Sequence, residues 1–211
     1  MPMAASMRIA GALDAAANPQ TTPGIATADP GADGRFEVET DQADGQAIGL
    51  VALSETAGHL LTVTGLVEAD ISDGSYPPGA TNHDVWVVSE AFVDELNTKL
   101  ASDPEVAPFL PLGDMGGVVG RVRDRNCGEG VAGVQLVSRL GAGSTAVIRY
   151  LAEDGTFTDT ATGPSGIFVI VAPALAEKFD AMMDGMPVGE REATVGSAPG
   201  GVFAVTVTLA E

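Results

Sequence analysis

Lysine is almost missing from this chain. Lys99 and Lys178 are the only two, and all Lys and Arg together number 10 against 29 Asp and Glu, giving a formal net charge of −19. A field of that sign repels phosphate backbones, which excludes nucleic-acid binding, and it opposes adsorption to anionic lipid. It favours solubility and cationic partners. A surface poor in Lys and rich in Asp, Thr and Ala suits an ordinary acidic protein. It also suits one living in high salt, where screening removes the self-repulsion.

Other absences narrow the class further. Cys127 is the single cysteine, so no internal disulfide forms. Within NCGEG it reads as a small turn residue rather than a nucleophile. Aromatic residues make up 5%, so a core must be built from small aliphatic side chains. No apolar run reaches the roughly 18 residues of a membrane-spanning helix. MPMAASMRIAGAL lacks the long apolar stretch of a secretory signal, so export, if it occurs, is not visible here.

Catalytic signatures are also scarce. The two histidines, His59 and His83, have no Cys or acid at zinc-ligand spacing. His83 and Asp84 could form an oriented base, but a loop His before an apolar run more often caps or faces solvent. GPSGIF at 163–168 is not a nucleophile elbow, and GAGST at 141–145 has no P-loop lysine. The expectation is a protein that is not an enzyme. A hydrolase using His83 and Asp84 is the alternative.

What is present is apolar and turn-rich. The hydrophobic fraction is 45%, the mean hydropathy is +0.21, and there are 27 Gly and 13 Pro. That excludes a disordered acidic tail. Alternation and β-branched runs bounded by Gly, Pro and Asp predict strands over 8–13, 24–28, 35–40, 48–54, 60–69 and 85–88. In the second half they predict strands over 120–123, 131–138, 145–151, 156–160, 166–171, 190–195 and 202–209. Residues 202–209, VFAVTVTL, alternate most cleanly, with Phe203, Val205, Val207 and Leu209 on one side and Thr206 on the other.

Two helices are predicted. Ser89–Ala101 has Ser89 as its cap, acids early, and Phe92, Val93, Leu96 and Leu100 on one face. Pro173–Asp184 has Pro at its first position and Leu175, Phe179, Met182 and Met183 on one face.

The helices and the runs before them look like copies. VWVVSEAFVDELNTKL at 85–100 and FVIVAPALAEKFDAMM at 168–183 match in class when shifted by 83 positions, with Val87 on Ile170 and Leu96 on Phe179. GLVALS at 49–54 lines up with GVQLVS at 133–138. The period exceeds that of common repeat arrays, so an internal repeat of a small domain is expected. The predicted fold is mainly β: two tandem β-sandwich units, transthyretin-like or Ig-like, each with one short appended helix. Residues 1–104 would form the first unit, 105–117 a Pro-rich linker, and 118–211 the second.

Clustered acids in loops raise the question of calcium, which takes six to eight oxygen ligands. DPGADGRFE, EADISDG and AEDGTFTD supply Asp29, Asp33, Asp70, Asp73, Asp154 and Asp159 as candidates. DPGADGRFEVET departs from the EF-hand pattern, and Asp-Gly also marks ordinary β-turns. No other cofactor is expected.

GVVGRVRDRNCGEGVAGVQLVS at 117–138 resembles the opening of a carboxypeptidase regulatory-like domain, a transthyretin-like β-sandwich. Gly120, Val122, Asp124, Val131, Gly133 and Val134 occupy the family's places, with Gly130 where Pro is usual. Gly166 and Phe168 in GPSGIFVI match a later strand, and PVGEREATVGS resembles the closing hairpin. The likeness covers 117–211, and 34–104 more loosely. It implies an accessory module on exported or surface proteins, with no catalytic residues to carry over. The expected function is therefore a non-catalytic extracellular or cell-envelope protein, structural or adhesive. It would act on a protein partner or by self-association. A self-assembling subunit of a surface layer, filament or virion is the alternative.

Overall fold

The computed structural model describes residues 6–43, 46, 48–67 and 84–210. The described part of the first half holds β1 (Ser6–Gly11), α1 (Ala12–Ala17), β2 (Ala26–Ala28), β3 (Leu50–Glu55), β4 (Thr62–Val67) and α2 (Glu90–Leu100). The second half holds β5 (Val118–Arg123), β6 (Gln135–Ser138), β7 (Val147–Leu151), β8 (Phe157–Thr158) and β9 (Ile167–Val171). It continues with β10 (Glu177–Met183), β11 (Met186–Pro187), β12 (Ala193–Val195) and β13 (Val202–Thr208). The chain is mainly β, with two sheets and two α-helices among the described residues. No helix is long and apolar enough to cross a membrane.

The larger sheet has nine strands in the order β2-β1-β3-β4-β13-β5-β9-β7-β8. Its centre is β13, which runs parallel to both β4 and β5, pairing Ala204 with Thr64 on one side and with Val119 on the other. The sheet therefore does not divide at 105–117. Strands from both sides of that segment meet on one central strand. The smaller sheet is built on β10, which pairs with β6 on one edge and with β12 and β11 on the other.

Apolar sequence on β5, β9 and β13 is nearly continuous because both faces of these strands are buried. One face meets the smaller sheet: Val122, Phe168, Ile170, Phe203 and Val207 pack against Leu136, Phe179, Ala181 and Val195. The other face carries Val119, Val169, Val171, Val202 and Ala204, under Val93, Leu96 and Leu100 of α2 and Val106 and Leu112 of the segment after it. Gly120 lies opposite Phe168 in the ladder, and a Cβ there would overlap the ring. The strand needs glycine at that point because an aromatic side chain crosses its backbone.

Local signals explain most element ends. The Ser89 side chain accepts a hydrogen bond from the Phe92 amide, as expected of an N-cap, and Lys99 sits in the last turn of α2. Val85–Val88, expected as a strand, lies outside the ladders. The Trp86 and Val88 amides donate to the Thr64 and Thr62 hydroxyls, and Ser54 donates to the Trp86 carbonyl at 2.8 Å. Side-chain oxygens on the sheet face replace ladder partners, and the buried Ser54, Thr62 and Thr64 are satisfied in return. Residues 35–40 likewise form no strand; Gly31 donates to the Arg35 carbonyl in a turn, and Val38 packs against Ile9, Leu50 and Ala52.

The second expected helix, Pro173–Asp184, is a correction. Ala172 and Ala176 have φ of 52° and 53°, which breaks a helical path, and β10 follows. Glu177, Phe179 and Ala181 alternate inward along it. Tertiary pairing on both edges outweighs a pattern that fits period 3.6 as well as period 2. The two stretches that read as copies thus differ: Leu96 lies in a helix and Phe179 in a strand. The expectation of one helix per unit fails with it, since α1 and α2 both lie in the first half.

Candidate functional site

Of the acids singled out for calcium, the four that the structure describes, Asp29, Asp33, Asp154 and Asp159, are not gathered into one place. Asp70, Asp73 and His83 lie outside the described residues. Asp29 and Asp33 follow β2 at one end of the larger sheet; Asp154 and Asp159 flank β8 at the other. The Asp33 carboxylate accepts from the Arg35 amide at 3.0 Å. Asp154 accepts from the Thr156 hydroxyl at 2.6 Å and the Thr156 amide at 2.9 Å, and these bonds hold its carboxyl below the usual range. Both are Asx-type turns, in which the carboxylate serves its own loop. Among the described residues no group of three or more His, Cys, Asp or Glu is placed to hold a metal ion.

The remaining sequence candidates are also engaged locally. Asp84 is bound by Arg123 at 2.6 Å. The His59 ring lies 3.0 Å from the Ala57 carbonyl on the surface. Cys127 is exposed in a turn, where its amide and thiol both donate to Asp124.

Two buried ionic groups went unnoticed in the sequence. Glu177 is 2% exposed. It accepts from the Ser138 hydroxyl at 2.6 Å, the Ser144 hydroxyl at 2.5 Å and the Ala174 amide at 2.7 Å. Burial opposes its charge, but these three donors outweigh burial and hold the carboxyl below the usual range. Its role is to tie the loop at 172–176 to β6 and to the turn before β7. A helical reading of 173–184 puts Glu177 on the polar face; only the period-two reading of EKFDA turns it inward. Arg149 on β7 donates to Asp103 at 2.5 Å and to Glu105 at 2.5 Å. It pins the segment after α2 to the sheet, and its bond draws the Asp103 carboxyl downward.

The outer face of the smaller sheet is different in character. Val137 lies across from Asp180 and Met182 from Gln135, whereas Met183, across from Met186 in the hairpin, turns toward the core. Val137 on this face and Leu140 just after β6 are 48% and 51% exposed. Along the same strands runs a chain of ion pairs: Arg139 with Asp180 at 2.8 Å and with Glu192, and Glu192 with Lys178. The Lys178 bond is the main cause that lowers the Glu192 carboxyl. Apolar side chains thus sit exposed beside charges whose positions are fixed by partners on neighbouring strands.

No family model matches the chain, and no curated protein matches it. Solved structures of shaft pilin SpaA from Lactobacillus rhamnosus GG are similar over 99% of this chain. A double-mutant form covers 85% of its own length at 12% identity and TM-score 0.24. Another SpaA structure covers 85% of its length at 13% identity and TM-score 0.24. A likeness this weak carries no argument about what this chain does.

Proposed function

We propose that this chain is a non-catalytic structural protein of the cell surface or envelope, and that it works by contact with further copies of itself in a layer, filament or virion. The observation that supports this reading is the outer face of the smaller sheet. Exposed Val137 on β6, with Met182 of β10 on the same face and exposed Leu140 just after β6, gives this face an apolar part, and ordered ion pairs lie beside it. An apolar centre with a polar, charged margin is the usual build of a protein–protein contact. The central strands β5, β9 and β13 of the larger sheet beneath are buried on both faces, which suits a stiff subunit. The surface location rests on the resemblance of residues 117–138 to modules of exported proteins.

The mass of the full chain in solution, measured by light scattering over a hundredfold range of concentration, tests the proposal. Mass should rise with concentration. Val137→Asp, which sets an acid across from Asp180, should hold the chain as a monomer with an unchanged melting temperature. A constant monomer mass for both proteins would reject the reading.

A further inference from the structure

The two sheets are unequal, and the mismatch leaves a cleft. The smaller sheet packs over β5, β9 and part of β13. Among the described residues, the one helix or strand above the inner face of β3 and β4, with Val51 and Val63, is α1. That helix is six residues long and offers Ala12 and Ala16 to the gap. The result is a half-open cleft of about 210 Å³ between α1 and β12.

Its floor is missing a side chain. Gly65 on β4 lines the cleft, and a Cβ built there would meet nothing within 4 Å. No left-handed φ is recorded for Gly65, so the backbone does not demand glycine. Over the mouth stand Ile48 and Leu175, 39% and 57% exposed. Ile48 and Ala176 have φ of 73° and 53°. Strained backbone of this kind persists only where surrounding structure holds it. Here Glu177 anchors the loop that carries Leu175 and Ala176.

Charge at the cleft runs against the rest of the chain. There are 29 acids in the sequence, yet among the described residues no Asp or Glu lines the cleft. The one charged lining residue among those described is Arg191, which is exposed. Among the described residues Arg191 has no ion pair. The acids beside it are already taken: Glu190 by Arg125, Glu192 by Lys178 and Arg139, and Asp180 by Arg139. An apolar slot with one unpartnered cation at its rim recognises a molecule with an apolar body and one negative end.

We propose that this cleft binds a small amphipathic anion: a short aliphatic chain or single ring lying over Gly65, with a carboxylate or sulfonate at Arg191. The volume sets the size. A dry apolar cavity of about 150 Å³ accepts benzene, so this one takes a chain of about six to eight carbons. Arg191 supplies a charge-assisted hydrogen bond at the open end, where solvent screens it.

The test is titration of the full chain with sodium octanoate and, separately, with 1-octanol, followed by calorimetry and amide NMR. Octanoate should saturate one site per chain and move the amide resonances of Ala16, Gly65 and Val195. Arg191→Gln should weaken octanoate about threefold, the scale of an exposed ion pair, and leave octanol unchanged. Gly65→Leu should abolish binding of both. Failure of octanoate to saturate, equal weakening of both ligands by Arg191→Gln, or full binding by Gly65→Leu would overturn the proposal. Should Gly65→Leu lower the melting temperature, the wild-type shifts decide: shifts confined to the cleft support the site, and shifts centred on β7 and β8 overturn it. A wild type that ignores octanoate, but whose self-association is broken by Gly65→Leu, would mean that a second copy occupies the cleft.

Discussion

The inner face of the larger sheet is covered in two ways. Over β5, β9 and β13 it meets a second sheet, and Phe168, Ile170 and Phe179 are fully buried there. Over β3 and β4 it meets α1, whose alanines leave Val51 and Val63 beside open space. The same kind of strand thus lies in a closed core at one end and in a ligand-sized cleft at the other. The lesson is that the number of strands in the covering layer, rather than the apolar content of the strand beneath, decides where a sandwich can take up another molecule.

Truncation on each side should separate the two environments. Phe168→Ala removes a fully buried ring of β9 in the closed core and should cost about 3–5 kcal/mol. That is a large part of the roughly 5–15 kcal/mol that holds a domain folded. Val63→Ala, 1% exposed but next to the cleft, should cost about 1–2 kcal/mol, since few atoms are lost and little new void is made. Chemical denaturation measures both. Equal costs would erase the contrast between the closed and open ends.

Glu177→Gln comes next, with an expected loss of about 1–3 kcal/mol from bonds that need a charged acceptor. Its folded carboxyl lies below the ordinary glutamate range. Its contribution is therefore complete above the unfolded value, about 4.3, and is lost as pH falls through the folded one. Wild type should approach the variant's stability in acid, and a gap that stays constant from pH 7 to pH 2 would contradict the assigned role.

Thr206→Ala should cost less, about 0.5–1.5 kcal/mol. The Thr206 hydroxyl accepts from the Trp86 indole N–H at 2.9 Å. This face of β13, opposite Phe203 and Val207, is covered within the chain. Loss of stability without any change in solution mass is the expected result. The smallest effect concerns salt. Sodium chloride should raise the melting temperature slightly by screening a net charge of −19. Calcium chloride at equal ionic strength should match it if the aspartates serve their turns, and an extra rise with calcium would revive them as ligands.

Much of this fold was legible locally. The alternation of VFAVTVTL gave β13, Ser89 marked the start of α2, and the apolar run IFVIV gave β9. These signals depend on neighbours a few residues away. β10 was not legible, because EKFDAMM satisfies a helical face and an alternating strand equally, and Pro173 tips the reading toward a helix. Its pairing with both β6 and β12 decides the matter from far along the chain. The joining of the halves was hidden for the same reason. Parallel pairing of β13 with β4 links residues about 140 apart, and no local pattern records it. The candidate site fared similarly. Acids in Asx turns and acids around a metal read alike, whereas Arg191 and Gly65 matter only once α1 and β12 face one another across the gap.

The central claim is that the two halves are one cooperative structure built on β13. Native-state hydrogen exchange tests it most directly. Amides of Val63 and Thr64 on β4, Val119 and Gly120 on β5, and Ala204 and Val205 on β13 should exchange with one common opening free energy, equal to that of global unfolding. Two distinct energies, with β4 in one class and β5 in the other, would show two independent units and contradict the account.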